Sequence, residues 1–144
     1  MQFQEAFVST DAGIKNPHLP VEFSRNFRSN DRAVAKFYEL LRKIGPYMNK
    51  KKKRAKEGTP AAKYGSWKWM HLEDALIKLK LLVSTTGKRT FSDFIHHVFP
   101  DRSSDSVYRA LYRTDSDTYH STVGDIVRFF QPVKDIVEDG LQKS

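Results

Sequence analysis

The chain has no cysteine in its 144 residues. That excludes a disulfide framework, a thiolate metal site and a thiol nucleophile, and it fits a reducing compartment such as the cytoplasm. Long apolar runs are missing as well. Nothing approaches the roughly 18 consecutive apolar residues of a membrane-spanning helix, and the opening MQFQEAFVSTDAGIK has neither the basic start nor the apolar stretch of a secretion signal. A cytoplasmic protein without a membrane partner is expected. There is no glycine-rich phosphate loop and no HExxH pattern. His96 and His97 are adjacent, so they project to different sides of a helix, while His18, His71 and His120 are isolated. Asp115 and Asp117 open a calcium-loop-like pattern that fails at its sixth position, where His120 replaces Gly, and at its twelfth, where Ile126 replaces Glu. With no metal, cofactor or catalytic constellation expected, the chain reads as a binding protein rather than an enzyme.

What is present is enough apolar material for one core. Hydrophobic residues make up 39% of the chain, with ten Phe, six Tyr and two Trp, and 29% of residues are charged. The formal net charge of +8 is unevenly placed. Residues 1–63 hold 14 Lys or Arg against 6 Asp or Glu, whereas residues 64–144 hold 11 of each. Clustered cations raise the local concentration of phosphates and gain from counterion release, so a polyanionic partner is expected, and the first half should meet it.

Periodicity predicts a small all-α domain preceded by an irregular arm, one amphipathic helix and a basic linker, in segments 1–49, 50–63 and 64–144. Residues 1–28, with Gly13, Pro17 and Pro20, read as an irregular arm packing through Phe3, Phe7, Val21, Phe23 and Phe27. Ser29, Asn30 and Asp31 are good N-caps for a helix with Val34, Phe37, Leu41, Ile44 and Met48 at steps of three and four, ended or kinked by Gly45 and Pro46, with Tyr47 and Met48 an irregular continuation. KKKKRAKEGTPAAK, residues 50–63, has seven basic side chains and only alanines to bury, and reads as a linker. Trp69, Leu72, Leu76, Leu79 and Val83 predict a helix over about 68–84 with Gly87 as terminator. Thr90 with Asp93 opens a short helix carrying Phe91, Phe94, Ile95 and Val98, stopped by Pro100. Another starts near Ser103 or Ser104 and buries Val107, Ala110 and Leu111. The last starts at Ser121 or Thr122 and runs to Gly140, with Pro132 either kinking it or starting a new turn. The one strand-like stretch is Thr118–Val123.

The pair over 90–113, joined by Pro100–Ser103, has the spacing of a helix-turn-helix. In that motif the second helix enters the major groove, with one face buried and the other carrying small polar and cationic groups. Here Asp105, Arg109, Tyr112 and Arg113 point away from the core face, and Ser104 and Ser106 lie where first-turn amides can meet a phosphate. Lys88, Arg89 and Arg102 sit at the ends of the pair. Lys50, Lys51, Lys52, Lys53 and Arg54 form a run that can follow a phosphate backbone without reading sequence. The blander alternative is that any two short helices in an all-helical domain meet this description, with Arg109 and Arg113 a solvated face one turn apart.

WKWMHLEDALIKLKLL, a short helix ending in VF, SVYRALYR and a long closing helix together resemble, over residues 67–139, the C-terminal region of the RteC family, regulators of conjugative-transposon excision. The basic stretch that the family carries between its last two helices is replaced here by TDSDTYHST. The resemblance implies sequence-specific DNA binding and transcriptional regulation in a bacterial mobile element, with Arg109 and Arg113 on the matching helix. The leading expectation is thus a DNA-binding accessory or regulatory protein acting on double-stranded DNA; as a homodimer it would pair two recognition helices on a two-fold site. The alternative is a protein-interaction module with an exposed aromatic surface of Trp67, Trp69, Tyr108, Tyr112 and Tyr119.

Overall fold

The structure, a computed structural model, describes residues 7–9, 15–49, 56–84, 87–112 and 118–142. In chain order these hold two short strands, β1 (Phe7–Ser9) and β2 (Lys15–Pro17), then α1 (Arg25–Arg28), α2 (Asp31–Ile44), α3 (Pro60–Tyr64), α4 (Trp69–Lys78), α5 (Lys88–Val98), α6 (Ser104–Leu111) and α7 (Tyr119–Gln142). The protein is a small, mainly helical domain, as the periodicity predicts. The strands add one antiparallel ribbon, Phe7 opposite Pro17, in the segment expected to be irregular.

α2 begins where its cap stands. The Asn30 side chain accepts a hydrogen bond from the Ala33 amide at 3.1 Å, and its amide group donates to the Ile136 carbonyl of α7 at 3.3 Å. Val34, Phe37, Leu41 and Ile44 are buried, as expected, and Ala33, Tyr38 and Leu40 widen the stripe. Phe37 is the centre of the core: its ring lies 5.4–5.8 Å from those of Phe23, Phe27, Tyr38 and Phe130, and 6.3 Å from Phe94. These rings come from the arm, α2, α5 and α7, so one core crosses the boundary between the two sequence halves. α7 packs on α4 and α2, and α5 packs on α6.

The arm is tied down by Phe23 and Phe27, whereas Val21, expected to pack, is 73% exposed. Phe3 and Gly13 lie outside the described residues. Backbone bonds from Ser24 N to Leu81 O and from Val83 N to Glu22 O, each 2.9 Å, join the arm to the chain after α4. Farther back, the Tyr38 hydroxyl donates to the Pro17 carbonyl at 2.6 Å, and Arg42 donates to the buried Asn16.

α4 stops at Lys78, short of the expected 84. Lys80 takes a left-handed conformation (φ 60°), its amide bonding the Ile77 carbonyl, and the Leu81 amide turns back to Leu76, which is the double bond pattern of a Schellman cap. The chain therefore leaves the helix early; Leu82 is buried in a bridge to Phe23 and Val83 is exposed. Gly87, expected to end α4, instead sits at the N-cap of α5, so that helix starts at Lys88 rather than at Thr90. The expected linker 50–63 contains α3, started by a Thr59 cap and Pro60 at N1. Thr118–Val123 is not a strand: α7 runs from Tyr119 with Thr122 and Val123 turned into the core. Pro132 lies on the exposed side of this unbroken helix, flanked by buried Phe130 and Val133, whose packing offsets the missing amide.

Gly45 follows α2 in ordinary helical conformation, and what requires glycine there is space. A Cβ would stand 2.0 Å from Cζ of Phe99, the residue that ends α5. This contact seats the start of the α5–α6 turn against the end of α2.

Candidate nucleic-acid interface

The α5–α6 pair forms as its spacing predicts. Phe99 ends α5, and Ser103 caps α6 by accepting from the Ser106 amide at 3.0 Å. Val107, Ala110 and Leu111 are buried, while Asp105, Ser106, Arg109 and Tyr112 are exposed. The two helices are clasped by polar groups. Arg89 donates to Ser104 Oγ at 3.1 Å and to Asp105 at 3.0 Å, and Ser104 donates onward to Asp93. Ser104 is thus engaged within the clasp. The Ser103 cap already takes the Ser106 amide, and Asp105 adds a negative charge to the same first turn, so the start of α6 is poorly suited to hold a phosphate.

Two expected phosphate contacts are turned inward. Lys88 pairs at 2.6 Å with Glu73, whose side chain is only 1% exposed. Burial pushes the Glu73 carboxyl up, and the hydrogen bond and charge of Lys88 pull it back only in part. Arg102 donates from one guanidinium nitrogen to the carbonyls of Gly45, Pro46 and Met48 at 3.0, 3.1 and 2.9 Å, and its guanidinium lies 5.5 Å from the Trp69 ring centre. These carbonyls follow α2, where a cation is favoured by the helix dipole as well as by the bonds.

The cations of the basic run, Lys50, Lys51, Lys52, Lys53 and Arg54, lie outside the described residues, as does Arg113. The residues just before the run are fixed, however. Beside the Arg102 bond to Met48, the Asn49 amide donates to the Trp67 carbonyl at 2.7 Å, and its side chain accepts from the Trp69 amide at 3.3 Å. Asn49 is left-handed (φ 55°), a conformation that asparagine tolerates better than most residues. The chain immediately before the run is thus held beside the turn that precedes α6.

Arg109 and Tyr112 remain on the exposed face of α6. The Tyr112 ring stands 5.1 Å from that of Tyr108 at 75°, with their hydroxyls 3.3 Å apart, and the Arg89 guanidinium lies 4.1 Å from the centre of the Tyr108 ring. The hydrogen bond with Tyr108 holds the Tyr112 phenol above its ordinary pKa. The aromatic surface considered as an alternative does not assemble. Trp67 and Trp69 are 6% and 1% exposed, and Tyr119 is half-buried with its hydroxyl on Asp74.

The sequence did not signal Glu73 or the Met48 carbonyl as partners of the expected cations, nor Asp93 as the acceptor for Ser104, since these pairs lie from 11 to 54 positions apart. Asn49 and Tyr108 were likewise missed as fixing residues. Among the described residues no helix is long and apolar enough to cross a membrane, and no group of three His, Asp or Glu is placed to hold a metal. Comparison with protein families, with characterised proteins and with solved structures finds no match.

Proposed function

We propose that the protein is a DNA-binding accessory or regulatory protein that lays α6 along DNA and holds the phosphate backbone with the Lys50–Arg54 run. The observation that carries this reading is the double anchor at the root of the run. Arg102 and Asn49 fix the chain immediately before Lys50 beside the turn that leads into α6. The cationic segment that follows this point in the sequence adds charge to a helix face that has little of its own. On this reading Ser106, Arg109, Tyr112 and Arg113 meet the nucleic acid, while Lys88 and Arg102 shape the site from inside. The resemblance of residues 67–139 to the RteC C-terminal region supports the narrower role of a regulator in a bacterial mobile element.

Binding to duplex DNA over a salt series tests the reading. If all five cations of the run contact phosphates, replacing them with glutamine lowers the slope of log affinity against log salt by roughly 4. The Arg109→Ala/Arg113→Ala variant retains most of that slope and discriminates less between sequences. Wild-type protein that binds no DNA even at low salt would end the proposal.

A further inference from the structure

α6 offers a duplex less charge, and more aromatic surface, than groove reading calls for. Within Ser104–Leu111 the cation is Arg109, and Asp105 stands on the same outward side with Arg89 committed to it. What the helix presents instead is a built aromatic cluster. Arg89 is held by Ser104 and Asp105 and covers one side of the Tyr108 ring, Tyr108 meets Tyr112 edge to face, and their hydroxyls touch. Tyr112 is nevertheless 58% exposed, the sole aromatic among the exposed large apolar residues described. An aromatic ring held in place by its neighbours loses little freedom when a second flat group lies on it.

We infer that Tyr112, braced by Tyr108 and Arg89, is a stacking platform for an unpaired nucleobase, so that the helix pair takes nucleic acid containing a single-stranded stretch. The inference rests on the proposed nucleic-acid function and narrows its ligand. Every base offers a π-face, so stacking recognises a base without identifying it, and a duplex hides that face inside its own stack. The charge matches the same ligand: Arg109 lies three positions before Tyr112 on the exposed side of α6, where it can meet a phosphate flanking a stacked base.

The test measures affinities of wild type, Tyr112→Ala and Tyr112→Phe for a deoxythymidine oligomer, the matching ribouridine oligomer and a fully paired DNA duplex of equal length. The Ala variant is expected to bind the better single strand roughly tenfold more weakly, with Phe close to wild type because it keeps the ring. The Ala variant should lose clearly less affinity for the paired duplex than for the single strand, and the preferred oligomer shows whether the strand is DNA or RNA. Equal single-strand affinity for the Ala variant and wild type overturns the inference, and so does an equal loss on duplex. Failure of the underlying function looks different: wild type then binds neither single strands nor duplex at low salt.

Discussion

Replacing Arg102 should destabilise the whole fold, and the size of the loss can be worked from its contacts. In Arg102→Ala the carbonyls of Gly45, Pro46 and Met48 lose their shared donor, and the ring of Trp69 loses the cation beside it. A hydrogen bond from a charged donor contributes about 1.5–3 kcal/mol. Because a single nitrogen serves three acceptors and Pro46 is exposed to water, the three together count as one to two such bonds. The expected cost is about 2–4 kcal/mol, which in a chain of this size lowers Tm by roughly 5–12 °C. Thermal and urea unfolding of wild type, Arg102→Ala, Arg102→Lys and Arg109→Ala measure it. Arg102→Lys keeps a charged donor but lacks the flat guanidinium beside the Trp69 ring, so it should recover only part of the loss. Arg109 is exposed, and its alanine variant should stay within about 0.5 kcal/mol of wild type. An Arg102→Ala protein as stable as wild type, or full rescue by lysine, would refute the idea that the Arg102 guanidinium ties the end of α2 to the α5–α6 turn.

Two further outcomes follow from the interior. In Lys88→Ala the buried Glu73 loses its counter-charge, at about 3 kcal/mol near pH 7. Its folded pKa is raised by burial, so the stability linked to its protonation is full below the unfolded value and is lost as pH rises through the folded one. The variant should therefore fall furthest behind wild type at neutral pH and least near pH 4, which paired melts at the two pH values would show; a deficit independent of pH counts against the buried carboxylate as its cause. Gly45→Ala drives a methyl into Phe99 and should cost about 1–3 kcal/mol, with partial recovery when Phe99 is also cut to leucine. A double variant no better than Gly45→Ala would mean that the ring is not what limits the site.

Local signals located α2 and α6 well because both carry a capping side chain directly before an apolar stripe: Asn30 before Val34 and Phe37, Ser103 before Val107. The end of α4 was hidden because the left-handed turn that closes it uses Lys80, where a glycine would have announced the stop. The stripe then ran on in sequence through Leu79 and Val83 although the backbone had already turned. The Thr59–Pro60 start of α3 was legible but lay inside a stretch dominated by charge. The β1–β2 ribbon spans three residues on each side and ends on a proline, too short for alternation to show. At the site, the helix pair and its buried face were legible, whereas the duties of its cations were not. Whether Lys88, Arg89 or Arg102 faces water or the protein depends on Glu73, Asp105 and Met48, and no spacing rule connects such distant positions.

The bond from the Asn49 amide to the Trp67 carbonyl closes the intervening chain into a loop whose two ends meet at 2.7 Å. Loop closure entropy rises only slowly with length, so the fold should be nearly indifferent to how many residues that loop contains. It should also survive a cut within it. Residues on the two sides of such a cut share the Phe37 aromatic cluster and the packing of α2 on α7, which hold them together without the peptide link. Two separately produced fragments, divided within the basic run, are then expected to reassemble into the native fold, making this protein a candidate for splitting at the very segment that carries its charge.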